Sequence, residues 1–434
     1  MKPRSGAARR AQGGQALVLG MLLAGLGALA MLRYFQAGQV VAAKANQLHA
    51  ADAAAYSGAL VQARALNMLA YLNRSQVAHQ VAMAHLVTLG TWAMLGGTQA
   101  QQAATGNPPV YLIAMLFGAG HGAAYAASLG AAGLQQLAQG ALARAHAAHD
   151  RIVHQVLRAA QTDIAHGVPD ARMAAMRQVL AQHYGDTDFT LAVTHDNWAG
   201  QLGLHAPSEA LLPFVRQVAG RFGFLAPRNH TARNPWPVQA RCPARRHELR
   251  RRGATQLDGA GVWQSIDTQS FHALRSNRWL GCYYREYAMG YGWIPTARSQ
   301  QAQGPYVEDP PDDFSAQDFW RWVREATNWD IIGGDANPLA NSRAVAARLR
   351  WPSGGIPSHM DIAAGATLPM RFGVELRRAG PQGLRVAARA AAETFFQRPE
   401  PRADGLAEQA NLFHPYWQAR LAKDAAAAVP AGQP

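Results

Sequence analysis

The sequence predicts an α+β protein: an N-terminal transmembrane helix that continues into a long helical hairpin, then an exported domain with an antiparallel sheet. Three observations carry this. Ala16 to Leu32 run without a charge or a strong polar group. No proline occurs from Gln36 to Met94, so the helical pattern continues well past the apolar run. Beyond residue 186 the alanine-rich sequence gives way to short strand-like runs bounded by glycine and proline turns.

Residues 1–14 are expected to form a cytoplasmic tail, with Lys2, Arg4, Arg9, Arg10 and no acid. Residues 15–33 are the expected transmembrane helix, whose apolar part spans about 25 Å, the short end of what crosses a bilayer. Arg33 can snorkel, and Tyr34 and Phe35 stand where an aromatic belt anchors a span. The positive flank stays inside, so the expected topology is single-pass, N-in, with the C-terminal part on the periplasmic side of a bacterial inner membrane. A cleaved secretory signal would have a shorter apolar region and then a change of character. The helical pattern runs on instead, which favours a retained anchor.

At 434 residues the chain exceeds one ordinary core, and 49% hydrophobic with 16% charged residues excludes a disordered protein. The expected units after the span are a helical region, 34–185, and an exported α+β domain, 186–434. The net charge of +14 invites a nucleic-acid reading, but the arginines are spread along the chain. Their densest cluster (Arg241, Arg245, Arg246, Arg250, Arg251, Arg252) falls in a strand-like region. No nucleic-acid partner is expected.

KANQLHAADAAAYSGALVQARAL at 44–66 follows the apolar span. Together they resemble the amino terminus of TadE/TadG-like proteins of Tad (Flp-type) pilus assembly, which carry a hydrophobic helix and then a motif of the form LQ-x-A-x-DAAALAGA. The matching residues are Leu48, Ala51, Asp52, Ala53, Ala54, Ala55, Tyr56, Ser57, Gly58 and Ala59. The small residues form a smooth face that admits a second helix, so Leu48, Ala51, Asp52, Ala53, Ala54, Ala55 and Gly58 are the expected helix-packing motif. Prepilin peptidase substrates carry Glu five residues after the cleaved glycine. Counted from Gly14, that position is Leu19, so removal of the tail is not expected.

Asn107-Pro108-Pro109 ends the first helix. Residues 110–166 read as a second helical stretch returning on the first, and a span over 110–134 is weakened by His121 and five glycines. A shorter helix, 170–184, is expected after Pro169. Strands are expected at 189–193, in three runs over 245–293, and at 370–378 and 383–397. Helices are expected at 208–222, 315–328 and 411–421.

Cys242 and Cys282 lie past the anchor, in an oxidising compartment, and their pairing is the default. It would close a loop of about 40 residues and stabilise by about 4 kcal/mol on the entropic model.

No P-loop, GxGxxG, GxSxG or HExxH occurs. His146, His149, Asp150 and His154 share a helical face at metal-ligand spacing, yet a solvated polar face explains them more simply. The acidic run Glu308, Asp309, Asp312, Asp313 and Asp318 lacks EF-hand spacing. Aromatics cluster at Tyr283, Tyr284, Tyr287, Tyr291 and Trp293, and at Phe319, Trp320 and Trp322, as core or as a binding surface. The resemblance therefore implies a non-catalytic, membrane-anchored component of a Tad/Flp-type pilus or a type II/IV-like secretion assembly. Its expected partners are other assembly proteins and inner-membrane lipid, with no cofactor, no metal and no small-molecule substrate. The alternative is an anchored envelope protein that binds a ligand such as a glycan, or an unrecognised hydrolase.

Overall fold

Ninety-three residues, Gly13–Thr105, form one uninterrupted helix, α1, in the computed structural model. The structure describes residues 13–185, 189–205, 211–259, 261–294, 369–402, 405 and 407–422. At 1.5 Å per residue α1 is about 140 Å long. It ends where Gly106 turns into the left-handed region ahead of Pro108 and Pro109.

Residues 14–35 of α1 are exposed throughout, and this is the one described helix long and apolar enough to cross a membrane. From Gln47 onward a buried stripe takes over. It comprises Ala50, Ala51, Ala54, Ala55, Gly58, Ala59, Ala63 and Leu66, at the three-and-four spacing of a single helical face.

Two four-stranded antiparallel sheets pack on α1. The first has the order β1 (Phe189–Asp196), β6 (Met370–Ala379), β7 (Arg385–Phe396), β8 (Trp417–Leu421). The second runs β2 (His230–Arg233), β3 (Glu248–Leu257), β4 (Trp263–Asn277), β5 (Gly281–Ile294). The alanines of α1 meet Phe372, Val374 and Leu376 of β6, Ala388, Ala390 and Ala392 of β7, and Met176 and Leu180 of α5 (Ala141–Tyr184) in one core. A second core joins Val77, Val81, Val87 and Met94 of α1 to Trp263, Ile294 and the helix α7 (Leu211–Ala219). Helical and sheet residues thus share their cores, and burial of each large apolar side chain contributes about 1.5–3 kcal/mol.

Several expectations are corrected. The helical stretch expected over 110–166 is broken: α2 (Val110–Phe117) and α3 (Ala119–Ala127) are separated by Gly118 at φ 98°, a short α4 (Gln135–Gln139) follows, and α5 begins only at Ala141. Ile113, Leu116 and Tyr125 are buried against Leu249, Phe271 and Met289 of the second sheet, so this apolar run covers a sheet face. Pro169 does not start a new helix; α5 runs through it from Ala141 to Tyr184. The expected helix 411–421 is instead a turn followed by strand β8. Asn411 Oδ1 accepts the N–H groups of Phe413 and His414, at 2.9 and 3.0 Å, and Pro415 interrupts any helical ladder. The expected helix 315–328, the acidic run 308–318 and the aromatics Phe319, Trp320 and Trp322 lie outside the described residues, as do residues 1–12.

Candidate functional site on the long helix

The small-residue face of α1 is filled by this chain itself. Ala51, Ala54 and Ala55 are buried against β6, β7 and α5, and Gly58 sits so close that an added Cβ would meet Arg172 Cγ at 2.8 Å and Phe372 Cζ at 2.9 Å. Leu48 is exposed, while Asp52 and Ala53 lie at the margin. Burial pushes the Asp52 carboxyl up, with His49 opposing. A helix of the same chain, α5, does approach this face closely, together with strands β6 and β7. Glutamines fix the contact: Gln47 Nε2 donates to the carbonyls of Leu376 and Val386 at 2.8 and 2.9 Å, and Gln62 Nε2 donates to Thr394 Oγ1 at 2.8 Å.

The second polar feature joins α1 to α5. His79 Nε2 lies 2.7 Å and His154 Nε2 3.5 Å from the same Asp150 Oδ1, and Gln80 Nε2 lies 3.2 Å from His154 Nε2. Asp150 is 3% exposed. The expectation of a solvated face is thus corrected for Asp150 and His154, while His149 is exposed as expected. His79, between the buried Val77 and Val81, was not singled out in the sequence, because its partners lie about 70 residues away. The ligand atoms of His79, Asp150 and His154 lie within 4.8 Å of one another, a donor set of the kind that suits zinc. The His79–Asp150 hydrogen bond is direct, so the cluster works as a polar pin between two helices. One side further along, Gln161 bridges Gln76, at 2.8 Å, and Asn73, at 2.5 Å.

Arginine is used against carboxylates in pairs. Asp267, fully buried, is bound by Arg228 at 2.9 Å and Arg251 at 3.3 Å, and Thr91 of α1 donates to it at 3.0 Å. Glu248 lies 2.9 Å from both Arg233 and Arg250. Its burial alone would raise its pKa, but the two guanidinium hydrogen bonds win and hold it below the usual range. Glu375 is bound by Arg377 and Arg389, and Glu393 by Arg371 and Arg420. Arg250, Arg251 and Arg252 of the dense basic cluster are tied up inside the second sheet.

The disulfide Cys242–Cys282 is formed, with Cα atoms 6.1 Å apart. It ties the β2–β3 connection to the start of β5. The aromatics of β5 differ in their surroundings. Trp293 is buried, Tyr287 stacks on Phe271 with centroids 5.8 Å apart, and Tyr284 lies under the Arg250 guanidinium at 5.6 Å. Tyr283 is at the surface, and the adjoining turn exposes Trp279 and Leu280.

No protein-family model, curated protein or solved structure gives a match to this chain.

Proposed function

We propose that this protein is a non-catalytic, membrane-anchored component of a Tad/Flp-type pilus or related secretion assembly. Its N-terminal helix is held in the inner membrane, and its sheets are presented on the periplasmic side. One observation carries the reading: α1 leaves residues 14–35 wholly exposed and continues unbroken into the spine that both sheets pack on. An apolar helix of that kind in water would expose Leu17, Leu22, Leu26 and Leu29 with nothing to cover them, whereas a bilayer covers them all. The resemblance of residues 44–66 to TadE/TadG-like proteins supplies the assembly context.

Packing beside other membrane helices then falls to the span. Gly20, Ala24 and Ala28 recur every fourth residue along one face, and among the described residues nothing outside the helix's own turn lies within 4 Å of where a Gly20 Cβ would stand. Two measurements test the proposal. Alkaline phosphatase fused after residue 434 should be active, and a reporter that needs the cytoplasm should be silent there; the reverse pattern sinks the topology. Gly20→Leu with Ala24→Leu should abolish pilus formation or secretion while the protein accumulates with its disulfide formed. Unimpaired assembly in that variant would overturn the assembly role.

A further inference from the structure

Among the described residues two sheets leave four edge strands, and α1 bonds the backbone of two of them. At β5, Thr98 Oγ1 accepts the Tyr291 N–H at 2.8 Å and donates to the Tyr291 carbonyl at 2.6 Å. At β8, Asn67 Oδ1 accepts the Trp417 N–H at 2.9 Å, and its Nδ2 donates to the Trp417 carbonyl at 3.0 Å. The third edge, β2, is four residues long, ends in Arg233 and is followed by Pro235, three devices that discourage strand pairing. The fourth edge is β1, and it has none of them.

β1 is eight residues long, and Phe189–Thr194 contain no charge and no proline. Its one irregularity of pairing falls late, between Val193 and His195. The direction of its backbone groups follows from β6. Arg371 turns both its N–H and its C=O toward β1, where Asn197 takes them at 2.7 and 3.2 Å. By alternation Glu375 and Arg377 also face β1, opposite Ala192 and Thr190. Phe189, Leu191 and Val193 therefore turn their N–H and C=O groups outward. No backbone hydrogen bond from outside the sheet reaches these three among the described residues, and α1 makes no comparable contact with β1.

The side chains of the same three residues pack against the core of β6, β7 and the α1 alanines, yet each is only partly buried. The core thus stops short at this edge, and one more strand with aliphatic residues at alternate positions would complete it. Thr190, Ala192 and Thr194 are exposed on the opposite face.

We infer that the outer edge of β1 receives an extended segment of a partner protein, which joins the first sheet as an antiparallel fifth strand. The segment is recognised by its main chain, and it carries uncharged aliphatic residues on the side facing the core. A second copy of this chain does not fit. Gln62 lies 3.4 Å from the Met370 carbonyl and Gln47 bonds Leu376, so β6 runs against α1 and β1 runs with it. Copies held in one bilayer by α1 present β1 in the same direction, which excludes an antiparallel β1–β1 pair between them. That exclusion rests on the membrane anchoring proposed above.

The test uses the full-length protein in the cells that produce it, with the photo-crosslinker p-benzoylphenylalanine at Thr190 or at Thr194. Both positions should join the same segment of one partner. The residue joined to Thr190 should stand about four places after the one joined to Thr194, the reverse order that antiparallel pairing demands. Leu191→Pro removes an outward N–H and no bond to β6, a place where an edge strand tolerates proline. It should lower the crosslink yield at least tenfold while protein level and protease resistance hold, and Leu191→Thr, which keeps the N–H, should retain most of the yield. Undiminished crosslinking in Leu191→Pro, crosslinks to scattered segments, crosslinks between copies of this chain, or none at all would each overturn the inference. Alkaline phosphatase fused after residue 434 reads the anchor by itself. Activity there with no crosslink sinks the edge contact and leaves the anchor standing, whereas silence there sinks the anchor and the exclusion of a second copy with it.

Discussion

The indole Nε1 of Trp198 donates to the carbonyl oxygen of Ala165 at 2.8 Å. Ala165 stands four residues before Pro169, so its carbonyl is the one that Pro169, lacking an N–H, cannot bond. A tryptophan at the start of α6 (Trp198–His205), itself 4% exposed, supplies the missing donor and keeps α5 continuous. Trp198→Phe should leave that carbonyl unpaired and destabilise by about 1–3 kcal/mol beyond what lost packing explains. Pro169→Ala in the same chain restores a backbone donor. The double variant should be more stable than Trp198→Phe alone in chemical denaturation, and independence of the two changes would refute the pairing.

At Gly292 strand β5 meets α1 backbone to backbone. A Cβ on Gly292 would lie 2.1 Å from the Thr91 carbonyl oxygen and 2.9 Å from the Leu95 nitrogen, both backbone atoms that cannot yield. Gly292→Ala should therefore separate β5 from α1 and lower stability by about 1–3 kcal/mol or more. Gly167→Ala, in α5 with open space around it, should be neutral or stabilising by a few tenths to about 1 kcal/mol. Equal melting temperatures for the two variants would contradict the close approach.

Asp150 holds His79 and His154 from opposite helices. Asp150→Ala should destabilise by about 1–3 kcal/mol by stripping both imidazoles of a buried acceptor. His149→Ala, on the exposed side of the same turn, should stay within about 0.5 kcal/mol of the parent. Because His79 bonds Asp150 directly, a chelator should leave the melting temperature unchanged. A marked fall on chelation would show that these donors hold an ion.

Acid should loosen the second sheet through His247. Its Nδ1 accepts the Leu274 N–H at 2.8 Å, so that nitrogen carries no proton, and burial, aided by Arg275, pushes its pKa down. The unfolded chain takes up a proton near the usual histidine value of about 6.5 and the folded chain resists. Stability is then full above that value, falls as pH drops through it, and levels off below the lowered folded value. Burial lowers His85 and His195 in the same sense, with Asp196 opposing and Arg371 adding at His195. Denaturant midpoints should decline from neutral toward mildly acid pH, and His247→Gln should start lower but decline less steeply. Greater stability on acidification would exclude this account.

What the sequence made legible was local. The apolar run, the proline-free stretch, the strand patterns at 189–193, 245–293 and 370–397, and the two isolated cysteines each mapped onto an element or a bond, because each is a short-range or forced relation. What it hid was non-local. Nothing near Ala51, Ala54 and Ala55 shows that the smooth face will meet, besides α5, a sheet some 320 residues later. Nothing near Pro169 shows that Trp198 will supply its donor. The residues 411–421 misled because WQAR fits helix and strand alike, and Pro415 was the signal against helix. The Asp150 cluster was half visible: its helical face could be read, but its partner His79 could not.

The two sheets grip α1 at different distances from its apolar end, the first around Gln47 to Gln62 and the second around Thr88 to Gln99. Thr98, bound to the Tyr291 carbonyl at 2.6 Å, stands about 100 Å along the helix from Leu32. For any bilayer that holds the apolar turns, the helix is a lever whose short arm lies in lipid. A tilt of about 20°, ordinary for a single span, swings the far sheet sideways by about 30 Å. Small changes of tilt at the short arm are thereby magnified at the outer end.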